Sequence, residues 1–326
     1  MEALKKKELM KTRILSSVAV FAIIAIAIAS RLLTPYVFDA IFLIAGVVGT
    51  IEVTRAYSNN KKTINSNMTS TYMPVLYIGL LYVIFTKGTL LHMLLYVGCM
   101  VVAYFLFSIF LSLLSKEDVK AEMLRNGYLK SFASYIFAKA FRTIALIFYP
   151  AVLFMCLIVL NHLESFYIVT EETTIKSITI FLDYMIIACF VCSTLTDTFA
   201  MLIGCKVGGP KLCPNISPKK TVSGAISGLL FGIIGVLGLY MIYSTNEAFV
   251  GLIEGLKVNW LPVISFAVVA PILCQVGDIC ASVIKRKNNI KDYGTLIPGH
   301  GGVMDRMDGQ IFVGAFALII SICVCL

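Results

Sequence analysis

Apolar residues run along this chain in long unbroken stretches separated by short polar segments. The stretches lack the period-2 alternation of a lipid-facing barrel strand. Nine runs stand near residues 14–30, 36–53, 72–86, 90–114, 143–161, 178–204, 223–243, 258–284 and 309–326. A helix rising about 1.5 Å per residue needs about 17 to 25 residues to cross a hydrocarbon core of about 30 Å. The pattern therefore predicts an all-α, polytopic integral membrane protein with nine transmembrane helices. The third run is short, and the sixth and eighth carry acids toward one end.

Composition supports the lipid environment. Of 326 residues, 59% are hydrophobic and 14% charged, with a mean hydropathy of +0.91; so little polar surface does not coat a water-soluble globule. The net charge of +9 suits nucleic acid, anionic lipid or phosphorylated substrates, and its placement decides among them. Of the 27 Lys and Arg, only Arg31, Lys87, Lys176 and Lys257 fall in one set of alternate connections, one in each; the rest fall in the other set. Loops retained in the cytoplasm carry the positive charge, which places the N-terminus inside and the C-terminus outside. Basic residues dispersed over several membrane-bound loops disfavour nucleic acid.

The basic residues 1–13 followed by an apolar run resemble a signal peptide, with Ala25-Ile26-Ala27 as a cleavage pattern. The run reaches crossing length and is read as a retained first helix. Glu2 and Glu8 argue against a transit peptide. Most of the ten cysteines lie inside apolar runs, where Cys is a small hydrophobe. Cys189-x-x-Cys192 is read the same way, so no metal is assigned to cysteine. Residues 1–142 form an N-terminal region of four spans with a cytoplasmic connector. That connector, Ser115 to Arg142, reads as a solvated helix pair at the membrane surface. Residues 143–326 form a five-span region holding the candidate chemistry.

One polar segment runs from Asp197 through Gly204 to Ser217-Pro218-Lys219-Lys220-Thr221. Ser217 before Pro218 suits a helix N-cap, with Lys219 and Lys220 in the first turn. Backbone amides there, with two ammonium groups, would suit phosphate; a capped helix with snorkelling lysines is the competing reading. The Gly204–Gly209 spacing is not a P-loop, because Pro210-Lys211 stands where Lys-Ser/Thr belongs. The eighth run carries Asp278 about 10 Å before its first basic residue by helix rise. A carboxylate at that depth marks function, and Asp278, Ser282 and Lys285 share one helix face. Beyond it come Lys291-Asp292, Gly294, Pro298-Gly299-His300-Gly301-Gly302 and Asp305-Arg306-Met307-Asp308. Carboxylates converging beside Lys and Arg suit a divalent-metal phosphate site; a salt-bridged loop capping the ninth helix is the alternative.

The stretch from Ser282 through Lys285-Arg286, Lys291-Asp292, Gly294, Ile297-Pro298 and His300-Gly301-Gly302 to Asp305-Arg306-Met307-Asp308 resembles, without departure, the signature of the phosphatidate cytidylyltransferase (CDP-diglyceride synthetase) family. Ser217 to Thr221 is similar to that family's second motif, and Asp197-x-x-Ala200-x3-Gly204 to the stretch before it. Met201 replaces an expected aromatic residue and Ser223 an expected glutamate. The motifs cover about the C-terminal 40% of the chain.

The resemblance implies CTP + phosphatidate → CDP-diacylglycerol + diphosphate at the cytoplasmic face of a bacterial inner membrane. It implies magnesium (Mg2+) held by the catalytic carboxylates Asp278, Asp305 and Asp308, with Asp197 as a further candidate. Substrate phosphates are then expected on Lys219, Lys220, Lys285, Arg286, Lys291 and Arg306, with Ser217 and Ser282 beside them. His300 is open between phosphate ligand and loop structure. The partners are CTP, phosphatidate and the bilayer, with a homodimer left open. The rivals are a CTP-dependent polyprenol or dolichol kinase, which would transfer the γ-phosphoryl group, and a transporter, whose acids would lie nearer the midplane.

Overall fold

In lipid, the backbone N–H and C=O groups of an apolar run have only one another as partners, so each run closes its hydrogen bonds as a helix. The computed structural model describes residues 2–31, 33–59, 64–128, 131–166, 172–245, 260–299 and 301–325. Its helices are α1 (Glu2–Ser30), α2 (Pro35–Asn59), α3 (Ser66–Thr69), α4 (Tyr72–Phe85), α5 (Leu90–Leu114), α6 (Lys116–Arg125), α7 (Phe132–Leu146), α8 (Leu153–Asn161), α9 (Glu172–Val207), α10 (Val222–Tyr243), α11 (Leu261–Lys287), α12 (Met304–Met307) and α13 (Gln310–Cys325). Among the described residues, six helical stretches are long and apolar enough to cross a membrane. Three shorter apolar helices, Val18–Ser30, Tyr72–Phe85 and Gln310–Val324, occupy the remaining expected runs. The chain is an all-α polytopic membrane protein.

The fifth run departs from a simple span. α7 starts eleven residues before 143 and joins α8 through the π-helical segment Ile147–Val152. Tyr149 there leaves helical geometry (φ −123°, ψ 110°) just ahead of Pro150, whose ring disfavours the α conformation in the preceding residue. The expected helix pair of the connector is present as α6 and the start of α7, joined by Lys139 Nζ to Glu122 Oε2 at 2.9 Å over buried Val119, Tyr135 and Ile136. Its second member runs on into the apolar stretch rather than ending at 142.

The Ser217 N-cap is corrected. Ser217–Thr221 is a strand, β2, paired antiparallel with β1 (Lys211–Cys213), with Lys211 opposite Thr221 and Cys213 opposite Ser217. A residue before proline favours extended backbone, and both strands of a two-stranded hairpin are edges, where the lack of an N–H at Pro218 is tolerated. Thr221, extended at φ −114° and ψ 156°, is the actual cap of α10, accepting from the Gly224 amide.

Contacts in the core cross residue 142. α2 packs on α8 and the π segment, α8 on α13, and α9 on α10, while α11 lies against α10 and α13. Cys189 and Cys192 are free and fully buried in this core. Away from the hairpin, Asp39 accepts from Tyr77 Oη at 2.9 Å and Asn161 Nδ2 at 2.7 Å, and pairs with His162 Nε2 at 2.6 Å. Nearby, Arg31 pairs with Asp183 at 3.0 Å.

Candidate active site

The C-terminal ends of α2, α9 and α11, the hairpin, the start of α10 and the loop leading through α12 gather at the other end of the bundle. Two glycines fix the crossing at its centre. A Cβ on Gly277 would strike the Asp308 carbonyl oxygen, and one on Gly309 would lie 2.7 Å from Cys274 Sγ and 2.9 Å from the Cys274 carbonyl oxygen. α11 and the turn into α13 therefore meet backbone to backbone, which puts Asp278 and Asp308 in one site.

The result is a cavity of about 520 Å³ whose wall includes Asp197, Asp278, Asp292, Asp305 and Asp308 together with Lys219, Lys220, Lys285 and Arg306. Its volume suits a ligand of nucleotide size. Lys220 Nζ reaches Asp278 Oδ2 at 2.7 Å, and Lys285 Nζ reaches Asp305 Oδ1 at 2.8 Å. Asp305 Oδ2 accepts from the amides of Tyr293 at 2.8 Å and Gly302 at 2.9 Å, so both its oxygens are engaged. The Lys285 ammonium also lies 5.3 Å from the Tyr293 ring centroid, and Tyr293 Oη donates to the Ala281 carbonyl. Asp308 is buried and accepts from the Gly309 amide at 2.9 Å. Burial, and then the Asp278 charge, push its carboxyl well above the usual carboxylate range, against the pull of Lys285. The Cys274 thiol donates to Asp197 Oδ1, and Gln275 Nε2 to the Ala225 carbonyl.

Other expected residues stand outside this wall. Arg286 Nε donates to the Ile216 carbonyl and Nη1 to that of Ile290, each at 3.2 Å, tying the hairpin turn to the loop after α11. Ser282 is buried, Ser217 half-buried in β2 and Lys291 exposed. His300 lies outside the described residues. Of the two departures from the family pattern, Met201 lines the cavity and the Ser223 hydroxyl donates to the Gly208 carbonyl.

Sequence reasoning missed Glu52 and Tyr293. Glu52 accepts from the amides of Val303 at 3.1 Å and Met304 at 2.9 Å. Its signal was present, as an acid near the end of the second apolar run, where a charge is costly. Tyr293 occupies an unspecified position between Asp292 and Gly294 and carried none.

The cavity's carboxylates are an all-oxygen donor set suited to a hard divalent cation, and the disfavoured charge on Asp308 is relieved by a nearby cation. Among the described residues no three His, Cys, Asp or Glu side chains are grouped closely enough to hold an ion by themselves. Mg2+ takes one or two carboxylates and leaves positions for water and phosphate, so the residues fit that ion.

The model of the Cytidylyltransferase family matches residues 11–324. A phosphatidate cytidylyltransferase of Rickettsia felis is 36% identical over 146 residues, covering 42% of this chain and 58% of the relative. One from Rickettsia bellii is 41% identical over 140 residues, 42% and 56% of the two chains. One from Staphylococcus saprophyticus is 37% identical over 132 residues, 40% and 46%. The matched stretches thus span about half the length of these relatives.

Proposed function

The chain belongs to the cytidylyltransferase family, and from that premise we propose that it is a phosphatidate cytidylyltransferase, forming CDP-diacylglycerol and pyrophosphate from CTP and phosphatidate. The observation that carries the proposal is the cavity at one end of the bundle, where four cationic side chains face a cluster of carboxylates. An oxygen of the lipid phosphate bonds to the α-phosphorus of CTP, and the bond from that phosphorus to the bridging oxygen of the β-phosphate breaks. Two polyanions must come into contact for this, so the site has to hold positive charge at fixed places.

Lys219 and Lys220 come from the hairpin, Lys285 from α11 and Arg306 from α12. They approach from three directions and contact substrate phosphates and the leaving pyrophosphate. Lys285 is preset by Asp305 and Tyr293. Asp278 and Asp308 would hold Mg2+, with Asp197 in the same cavity wall and Asp305, engaged by Lys285 and two backbone amides, organising the loop. When bound, the ion screens the triphosphate and polarises its phosphoryl oxygens. The lipid phosphate is already ionised at neutral pH, so no side chain is assigned as a strong base.

The cavity lies where the basic connections gather, which supports a site facing the cytoplasm in a bacterial inner membrane. Phosphatidate tails then stay in lipid while the headgroup enters. Full-length protein in vesicles with phosphatidate and either α-labelled or γ-labelled CTP tests the reaction. The α label is expected in the lipid product and the γ label in pyrophosphate. The γ label in lipid, with CDP released, would identify a lipid kinase instead.

A further inference from the structure

We infer that Glu52 is a positioning residue for this reaction: from the N-terminal half of the chain it sets the backbone of Gly302–Met304 and, through it, the places of Asp305, Arg306 and Asp308. The inference rests on the cavity being the site of cytidylyl transfer. Glu52 is 5% exposed and forms no ion pair among the described residues. A buried carboxylate in an apolar helix needs strong compensation. Here Oε1 takes the Val303 amide and Oε2 the Met304 amide, donors that a short helix start otherwise leaves unpaired.

The surroundings are shaped to this carboxylate. A Cβ on Gly294 would stand 2.6 Å from Oε1, and one on Gly302 would run into both carboxylate oxygens. Gly302 does not have a positive φ, so its backbone conformation does not itself call for glycine; the space for Glu52 does. The neighbouring Gly302 amide donates to Asp305. Three successive amides are thus held by two carboxylates from different elements, one of them 251 residues away in sequence from Val303. The amides of Arg306 and Met307 both donate to the Val303 carbonyl at about 3 Å, so a displaced Val303 carries Arg306 with it. A misplacement of about 1 Å at a reacting centre costs on the order of 100-fold in rate.

Gln at 52 fills the same volume but offers one acceptor and turns N–H groups toward an amide N–H, which separates positioning from packing. In full-length Glu52→Gln, amide exchange in the segment containing 302–304 is expected to quicken. The kcat is expected to fall about tenfold or more, with KM for CTP changed less than about threefold. Gly302→Ala alone is expected to give a similar loss. In a Glu52→Ala background the same glycine change should cost little further, because the oxygens that its Cβ meets are gone. Wild-type kcat in Glu52→Gln, unchanged exchange at 302–304, or losses that multiply in the double variant would overturn the inference. A wild-type protein that transfers no label would overturn the reaction instead, and the exchange measurement reads the Glu52 contact without turnover.

Discussion

Two ion pairs stand in the cavity, Lys220–Asp278 and Lys285–Asp305, and they make single substitutions informative. Asp278→Asn removes charge from a partly exposed position paired with Lys220. It should leave the fold intact and lower kcat by roughly 100-fold or more, the scale for losing a preorganised electrostatic contact. Lys285→Met differs. The Lys285–Asp305 pair has side chains only 11% and 4% exposed, and removing one partner of a buried pair costs about 3–5 kcal/mol. A fall in the thermal unfolding midpoint together with lost turnover is expected; an unchanged midpoint would show that Asp305 is satisfied by its two backbone amides alone. Asp278 was legible in the sequence because charge is scarce in apolar runs, and Asp197, Asp305 and Asp308 through the motifs that hold them. The division of labour among them was not. Asp305 turns its oxygens to Lys285 and two amides, and nothing in residue spacing reveals which oxygens are engaged.

Among the elements, the helices followed from uninterrupted hydrophobicity, but their local ends did not. The lysine-bearing segment before α10 reads along the sequence as a capped first turn, yet it is a strand whose partner is Lys211–Cys213. Pairing outside the segment decided the outcome. Thr221 being the true cap, Thr221→Ala should destabilise the protein by about 1 kcal/mol while Ser217→Ala should not, a contrast that unfolding midpoints check. The hairpin also presents Lys219, exposed in the cavity wall. Lys219→Ala is expected to raise KM for CTP several-fold with little change in stability, as for loss of a single charge-assisted phosphate contact. An unchanged KM would remove the hairpin from nucleotide binding. Arg286 belongs at this scale too, because it joins the hairpin turn to the following loop through two carbonyls.

Across the whole molecule, alternate helix ends collect two different polar systems. One end holds the cavity, and the other the Asp39–Asn161–His162 group and the Arg31–Asp183 pair. Charge counting along the sequence separated the basic residues into alternate connections, but it did not point to Asp39, Asn161 or His162. The contact of Glu52 with the loop after α11 lay beyond it, since no local pattern joins positions so far apart. If the cavity faces the cytoplasm, a variant retaining only Cys205, exposed beside the cavity, should react with a membrane-impermeant maleimide after permeabilisation and not in intact cells. Labelling of intact cells would reverse the orientation. The central claim is that this cavity joins a nucleotide to a membrane lipid. It is tested most directly by transfer of α-labelled CTP to phosphatidate, with wild type and Asp308→Asn reconstituted in equal amounts. Label is expected in lipid for wild type, and at about a hundredth of that rate or less for the variant. Equal transfer by the two proteins, or none by wild type, would contradict it.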